Sequence, residues 1–353
     1  APIDAHIEIV NGRVKINPAV DGRELDVPAT KGWLMENGAT VVMNGRLPLI
    51  TNPVPATITD VSATAAQAEA LLTTSVAINA YDPINDFEVT WVVSPAIWGE
   101  WLTMAVDPAN QSQFSWSLDR EAGTLFFQER MAALGPGRFV ETDEALTAVS
   151  EAIQSGDGDI RLRIFHTESN YTVQPGDTLA SIGRQVGFPY PWLQQANPLV
   201  GEALAAGQNI SVPSPDVLLP LPIVENKRIV VSISEQRVWV YENGALKWDW
   251  LASTGIASSP TNPGIFQIQA HYENAYAGIW DLHMPNFMSV YQPAPGVEFF
   301  NGFHGFPTRD GVNLLWTQNL GAPVTYGCIL LSNENIALLY EWAEPGVVVE
   351  IRP

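Results

Sequence analysis

The chain has 353 residues, of which 46% are hydrophobic and 16% charged, with a formal net charge of −21. A length like this calls for roughly two to four folding units. The acidity excludes nucleic acid and anionic lipid as partners, because no basic stripe exists to meet them.

Residues 1–170 carry 23 Asp and Glu against 10 Lys and Arg, and residues 227–353 carry 11 against 6, so the negative charge is mostly N-terminal. No run of about 18 apolar residues occurs, so no helical membrane span is expected. Cys328 is the only cysteine. It rules out an internal disulfide and fits an exported disulfide-free protein or a cytosolic one equally well. Gly and Pro, 27 each, point to many turns.

Residues 1–58 read as strands and turns. His6-Ile7-Glu8-Ile9-Val10 and Arg13-Val14-Lys15-Ile16 alternate around Asn11-Gly12, a hairpin signal. A short helix is expected at 27–36, then strands at Gly38-Ala39-Thr40-Val41-Val42 and Arg46-Leu47-Pro48-Leu49. Residues 59–170 form a fuller α+β unit. Thr64-Ala65-Ala66-Gln67 has a capping-box pattern ahead of a helix. Residues 87–93 alternate as a strand, and Ser94-Pro95 starts a helix carrying Trp98 and Trp101. These tryptophans would make a sugar platform or, as helical spacing favours, core. Another helix runs from Thr142 to Gly156, with Ala145, Leu146, Val149 and Ile153 on one face. The acidic stretches 82–88 and 156–159 lack the ligand spacing of a calcium loop and are expected to be solvated turns. Helix, turn and strand recur faintly at 27–58 and 142–173. The arrangement resembles the peptidoglycan-binding module found upstream of L,D-transpeptidase domains, with 1–58 matching its second half and 59–170 a whole one. The alternative is an ordinary α+β domain with no ligand.

Residues 171–213 contain Tyr171-Thr172-Val173-Gln174-Pro175-Gly176-Asp177-Thr178-Leu179, then Asn197-Pro198 and Gly207-Gln208-Asn209-Ile210. The order is strand, helix capped by Asp177, second helix, strand. This stretch resembles a LysM domain, which implies a βααβ fold and binding of N-acetylglucosamine-containing glycan. Carried over, the groove falls on Gly176, Asp177 and Thr178 and on Asn197, Pro198 and Leu199. Gly183 stands where many members have Ala, at an expected small cost in helix stability. Residues 214–226, with Pro215, Pro220 and Pro222, read as a stiff extended linker.

Residues 227–353 are β-rich, with an Asn243-Gly244 hairpin and one helix over 333–343. Cys328 follows Gly327 and precedes an apolar run. It can be a nucleophile on a tight turn with backbone N–H groups free for an oxyanion, or a buried thiol acting as a small hydrophobe. Pro260-Thr261-Asn262-Pro263-Gly264, Asn301-Gly302-Phe303-His304-Gly305 and Gly327-Cys328-Ile329 resemble an L,D-transpeptidase catalytic domain across essentially all of 227–353. The fold class implied is multidomain α+β: N-terminal α+β modules, a βααβ LysM and a C-terminal β-sandwich-like domain.

The resemblance implies a cysteine acyl-enzyme formed with the tetrapeptide stem of peptidoglycan, release of D-Ala, and transfer to a diamino-acid amine, giving a 3→3 cross-link or attaching protein to the wall. It implies no metal or organic cofactor, acylation by carbapenems, and an exported bacterial cell-envelope location. By motif position Cys328 is the nucleophile and His304 the base, with the Gly305 carbonyl orienting the imidazole and the N–H groups of Gly327, Cys328 and Tyr326 lining an oxyanion hole. Thr325 and Tyr326 would contact substrate, as would Tyr291, Trp316 and Arg309, with core packing for the aromatics and a solvated loop for Arg309 as alternatives. Tyr326 replaces the family's usual His, and Leu330 its usual Arg or Asn. Twenty residues separate His304 from Thr325, which predicts a loop walling the site. His271 and His283 lack zinc spacing and read as lid or structural residues. The rivals are a wall-binding structural protein with a weak or inactive transpeptidase domain and a peptidase that passes the acyl group to water. Oligomeric state is open.

Overall fold

The computed structural model describes residues 1–107, 110–198 and 204–353. The chain divides into two compact units: Ala1–Ala80 with Val89–Leu134 and Val140–Leu162, and Tyr81–Glu88 with Gly135–Phe139 and Arg163–Pro353. The whole is mixed α+β, and the C-terminal region is rich in sheet.

In the first unit, His6–Val10 and Arg13–Asn17 pair antiparallel. Asn11 and Gly12 turn them with φ of 53° and 71°. The helix starting at Val27 does not stop near residue 36. It runs through Val27–Asn44 with a kink at Asn37, so the strand expected at 38–42 is helical. Thr40, Val41 and Val42 have strand propensity, but the Asp26 cap and the Gly45 αL stop bracket a longer helix. The strand after it is Thr51–Val54, not 46–49. Thr64 is not a cap: it lies inside the helix Ser62–Leu71 with its hydroxyl buried and, among the described residues, without a hydrogen-bond partner. Strands Asp159–Arg163, Val76–Asp82 and Phe87–Val93 form one sheet in that order. Trp98 and Trp101 are buried, which makes them core residues and leaves no sugar platform there. Helix Thr142–Ser155 buries Ala145, Leu146, Val149 and Ile153 and ends at Gly156, as the periodicity predicts.

In the second unit, strands Ser169–Thr172 and Asn209–Val212 pair antiparallel around helices Leu179–Val186 and Tyr190–Ala196. The first helix is capped by Thr178 and Ser181, not by Asp177. Asp177 instead accepts from the Gln174 N–H at 2.7 Å and the Tyr171 hydroxyl at 3.0 Å. Gly183 has a packing reason: a Cβ there would sit 2.5 Å from the Phe188 carbonyl oxygen. Residues 215–218 make a 3₁₀ turn, and Leu218 and Leu219 are buried.

Five strands follow in the order Ala245–Leu251, Arg237–Glu242, Val224–Ser232, Val347–Arg352, Gly264–Gln267. A second sheet contains Leu282–Tyr291, Asn301–His304 and Ile329–Leu330. A long hairpin joins Ala270–Ala277 to Leu282–Tyr291. One apolar cluster spans both sheets through Val231, Val240, Phe266, Met288, Val290 and Ile329. That is the sandwich-like packing expected of two sheets facing each other.

The acidic stretch at 82–88 is not simply a solvated turn, because Asp82 is fully buried. Its carboxylate lies 3.2 Å from His166 Nε2 and 3.1 Å from Arg138 Nε. Asp216 accepts from the His166 N–H at 2.6 Å and from Arg163 at 2.7 Å. Burial alone would lower the His166 pKa, but the Asp216 and Asp82 carboxylates outweigh it and raise it to about 9. The stabilisation from His166 is therefore full below about pH 6.5 and is lost as pH rises through about 9. Asp82→Asn removes the buried carboxylate shared by Arg138 and His166 and leaves Asp216 as the carboxylate facing His166. It should lower the unfolding free energy by about 3 kcal/mol in urea at pH 6; a change within about 0.5 kcal/mol would show the network to be slack.

Candidate active site

The turn that carries Cys328 is placed by two parallel strands. Asn301–His304 pairs with Ile329–Leu330, matching Phe303 with Ile329 and His304 with Leu330. In this register Cys328 lies beside Gly302, two positions before His304 on the neighbouring strand. Period-two alternation then sends the Cys328 and His304 side chains to the same face. Gly302 has to be glycine, because a Cβ would collide with the Met288 carbonyl. Gly327 sits at φ 108°, and a Cβ there would be 2.8 Å from the Asn301 amide nitrogen.

Cys328, His304, Thr325 and Tyr326 line one cavity of about 250 Å³. Its other walls include Trp280, Phe299, Met284 and Leu314, and among the described residues no Asp, Glu, Lys or Arg lines it. His304 Nδ1 lies 2.7 Å from the Gly305 carbonyl oxygen. A carbonyl only accepts, so Nδ1 carries the proton and Nε2 keeps the lone pair of a base. Gly305 is fixed by packing: a Cβ would lie 2.5 Å from Asn333 Oδ1, which accepts from the Phe306 N–H.

Burial governs the protonation states. It holds the His304 pKa down at about 4, against the opposing pull of the Gly305 carbonyl. It pushes the Cys328 thiol up to about 11, against a Gly302 N–H aimed at the sulfur. The resting site is a neutral thiol beside a neutral imidazole, without a preformed ion pair. The thiol's hydrogen-bond acceptor is Asn301 Oδ1, 3.7 Å away.

The turn itself is held from below. The Thr261 hydroxyl donates to the Gly327 carbonyl at 3.0 Å and accepts from the Gly255 N–H at 2.9 Å. The Tyr291 hydroxyl donates to the same carbonyl at 3.3 Å and accepts from Asn262 N–H and Asn301 Nδ2. Thr325 Oγ1 donates to the Cys328 carbonyl at 2.6 Å and receives the Gly327 N–H at 3.3 Å. The Gly327 N–H is thus already engaged. Among the described residues, the N–H groups of Tyr326 and Cys328 have no acceptor.

The predicted site residues separate into two sets. Cys328, His304, Thr325 and Tyr326 share the cavity, and Gly305 and Gly327 shape it. Tyr291 is not a channel aromatic: it is buried, stacks on Phe266 at 4.5 Å, and works as a strut beneath the turn. Trp316 is 46% exposed and does not line the cavity. Arg309 does not line it either, because its guanidinium donates to the Trp280 carbonyl at 2.6 Å and the Asp281 carbonyl at 3.2 Å. It clamps the tip of the Ala270–Ala277 hairpin. Tyr326 stacks on Trp280 with 5.6 Å between ring centres and 6° between planes, joining that tip to the nucleophile turn. Leu330 is fully buried and bridges Ser253 through its backbone, so a polar side chain there would enter the core. His271 packs on Tyr340 and His283 on Tyr276, both away from the cavity lining.

In the LysM region, Gly176 and Thr178 are exposed on one turn and Asp177 is half-buried. Asn197 stitches helix to strand, donating to the Leu193 and Ser211 carbonyls and accepting from the Ser211 N–H, each at 2.8 Å. Pro198 is exposed, and Leu199 lies outside the described residues. Asn301 and Thr261 are the residues that motif reading passed over. Both stand inside the quoted motifs, but their roles arise only from contacts between distant segments.

Residues 226–351 match the L,D-transpeptidase catalytic domain family, YkuD, and residues 171–213 match the LysM domain. A Bacillus licheniformis protein named L,D-transpeptidase YkuD is 27% identical over 190 residues, covering 52% of this chain and 98% of that protein. Its Bacillus subtilis counterpart is 26% identical over 184 residues, covering 51% and 97%. Among solved structures, an Enterococcus faecium L,D-transpeptidase is 16% identical with a TM-score of 0.38, covering 81% of this chain and 98% of the other. A Mycobacterium smegmatis L,D-transpeptidase is 20% identical with a TM-score of 0.31, and 59% of its length is spanned.

The pH dependence of stability follows from the site. As pH falls from 6.5 toward about 4, the unfolded chain binds a proton that native His304 refuses, so stability drops. His304→Gln should remove about 3 kcal/mol of the difference in unfolding free energy between pH 7 and pH 4. Denaturant unfolding at the two pH values checks this. Equal differences for wild type and variant would contradict a buried neutral imidazole.

Proposed function

We propose that the L,D-transpeptidase catalytic domain at residues 226–351, read together with the LysM domain at 171–213, makes this chain a cell-wall transpeptidase working through a Cys328 acyl-enzyme. The observation that carries the reading is one cavity holding the Cys328 thiol, the His304 imidazole and a turn with two free N–H groups.

In the forward step the thiol proton passes to His304 Nε2 as sulfur attacks the stem-peptide carbonyl that precedes the terminal D-Ala. The oxyanion is received by the N–H groups of Cys328 and Tyr326. Each such donor typically supplies about 3 kcal/mol. His304 returns its proton to the departing D-Ala amine as the C–N bond breaks and the thioester remains. An amine on a neighbouring stem then attacks the thioester, losing a proton through His304, and forms the 3→3 amide while releasing the thiol. The LysM domain brings the chain to N-acetylglucosamine glycan through the turn carrying Gly176 and Thr178. Residues 1–58 and 59–170 add contacts to the wall. The activity belongs outside the cytoplasm, where peptidoglycan is assembled. No helix among the described residues is long and apolar enough to cross a membrane.

A second reading, a wall-binding envelope protein whose transpeptidase domain is weak, is favoured by one observation: the resting thiol faces Asn301 and is held protonated.

Incubation with a carbapenem and with a tetrapeptide stem, followed by intact mass, decides between them. The enzyme reading expects a covalent adduct on Cys328 with both, and Cys328→Ala should lower turnover by roughly 10³-fold or more. An unmodified Cys328 in both incubations would favour the binding protein.

A further inference from the structure

The LysM domain and the catalytic domain lie in the same compact unit, and their apolar cores are continuous: Ile182, Phe188, Leu193 and Ile210 share one cluster with Phe266 and Tyr291. Two contacts across this seam are unusually specific. Gly187, the αL residue ending the first LysM helix, has its backbone against Gly264 closely enough that a Cβ on Gly264 would collide with the Gly187 carbonyl. Trp192, on the second LysM helix, donates its indole N–H to the Gln292 carbonyl at 3.1 Å.

These contacts land on two particular segments. Gly264 closes the stretch that contains Thr261 and Asn262. Gln292 directly follows Tyr291. Thr261 and Tyr291 are the two residues whose hydroxyls hold the Gly327 carbonyl, and Asn262 donates to the Tyr291 hydroxyl at 3.0 Å. We propose that the LysM domain is a positioning element for the nucleophile as well as a glycan reader: seated on Gly264 and Gln292, it fixes the Thr261 and Tyr291 props and thereby the turn that presents Cys328. Gly187, Trp192 and Gly264 are positioning residues, since none of them lines the cavity. The inference rests on the transpeptidase reading for its consequence in turnover. Its geometric part concerns the reactivity of the thiol alone.

The test uses the full chain. Trp192→Phe keeps an aromatic ring and removes the indole N–H, and is specific to the seam; Gly264→Ala adds a Cβ that collides with the Gly187 carbonyl and also presses on the Phe266 ring beneath Tyr291. Two rates are followed in protein shown to be folded by near-ultraviolet circular dichroism: alkylation of Cys328 by iodoacetamide across pH, and acylation by a carbapenem. Loosening the turn should expose the thiol, so the alkylation midpoint should move down from about 11 toward the ordinary value of 9. Acylation should slow by roughly tenfold for Trp192→Phe and more for Gly264→Ala, because the approach geometry is lost while sulfur becomes more accessible. Opposite movement of the two rates is the signature of positioning, since simple stabilisation by the LysM domain would leave both unchanged in folded protein. Wild-type alkylation profiles in both folded variants would overturn the inference. If wild type takes no carbapenem adduct, the transpeptidase reading fails by itself, and the alkylation profiles still decide this one.

Discussion

The carbonyl of Gly327 is the point on which the site depends. It accepts two hydroxyl hydrogen bonds, from Thr261 and Tyr291, which stand on separate segments of the chain. With the carbonyl turned inward, the residue at φ 108° leaves the N–H groups on either side of it pointing elsewhere, and only glycine takes that conformation without strain. Each prop is itself fully occupied. Thr261 accepts from Gly255, and Tyr291 accepts from Asn262 and Asn301. Asn301 in turn faces the Cys328 sulfur. A buried polar network satisfied at every member rigidifies its surroundings, and this one surrounds the thiol.

Rigidity matters here because burial gives the thiol no electrostatic help. Desolvation keeps Cys328 protonated and His304 neutral near neutral pH. On the proposed reading, chemistry then comes from placing sulfur, imidazole and backbone donors around a substrate carbonyl, with charge developing only during reaction. The apolar cavity walls strengthen whatever dipoles do act there. The flat stack of Tyr326 on Trp280, with Arg309 holding the hairpin tip, gives the cavity an aromatic wall. His304 is the one imidazole among the described residues lining the cavity.

Much of this is legible in the sequence where the signal is local. Asn-Gly turns mark both hairpins that they close, and the LysM spacing and the Gly-Cys motif identify the second unit's parts. His304 and the Gly305 carbonyl are legible because one residue follows the other. What escapes is what depends on distant partners. Tyr291 reads as a channel aromatic because an aromatic near a motif looks exposed until its neighbours Phe266 and Asn301 are in place. Thr261 and Asn301 carry no pattern of their own. The hairpin of Ala270–Ala277 and Leu282–Tyr291 turns through Gly278-Ile279-Trp280-Asp281, which lacks a two-residue hairpin signature, so its first strand goes unmarked. Asp82 looks like a turn residue because the sequence does not show Arg138 and His166 converging on it. Local β-propensity at Thr40–Val42 likewise loses to caps at both ends of a helix.

The most direct measurement is the rate of Cys328 acylation in the double variant Thr261→Val, Tyr291→Phe, which removes both hydroxyls and keeps side-chain volume. The account predicts a folded protein whose acylation by a carbapenem or tetrapeptide is slower by roughly 10²-fold, with the intact-mass adduct still confined to Cys328. Acylation at the wild-type rate in the folded double variant would contradict the claim that the Gly327 carbonyl anchors the nucleophile.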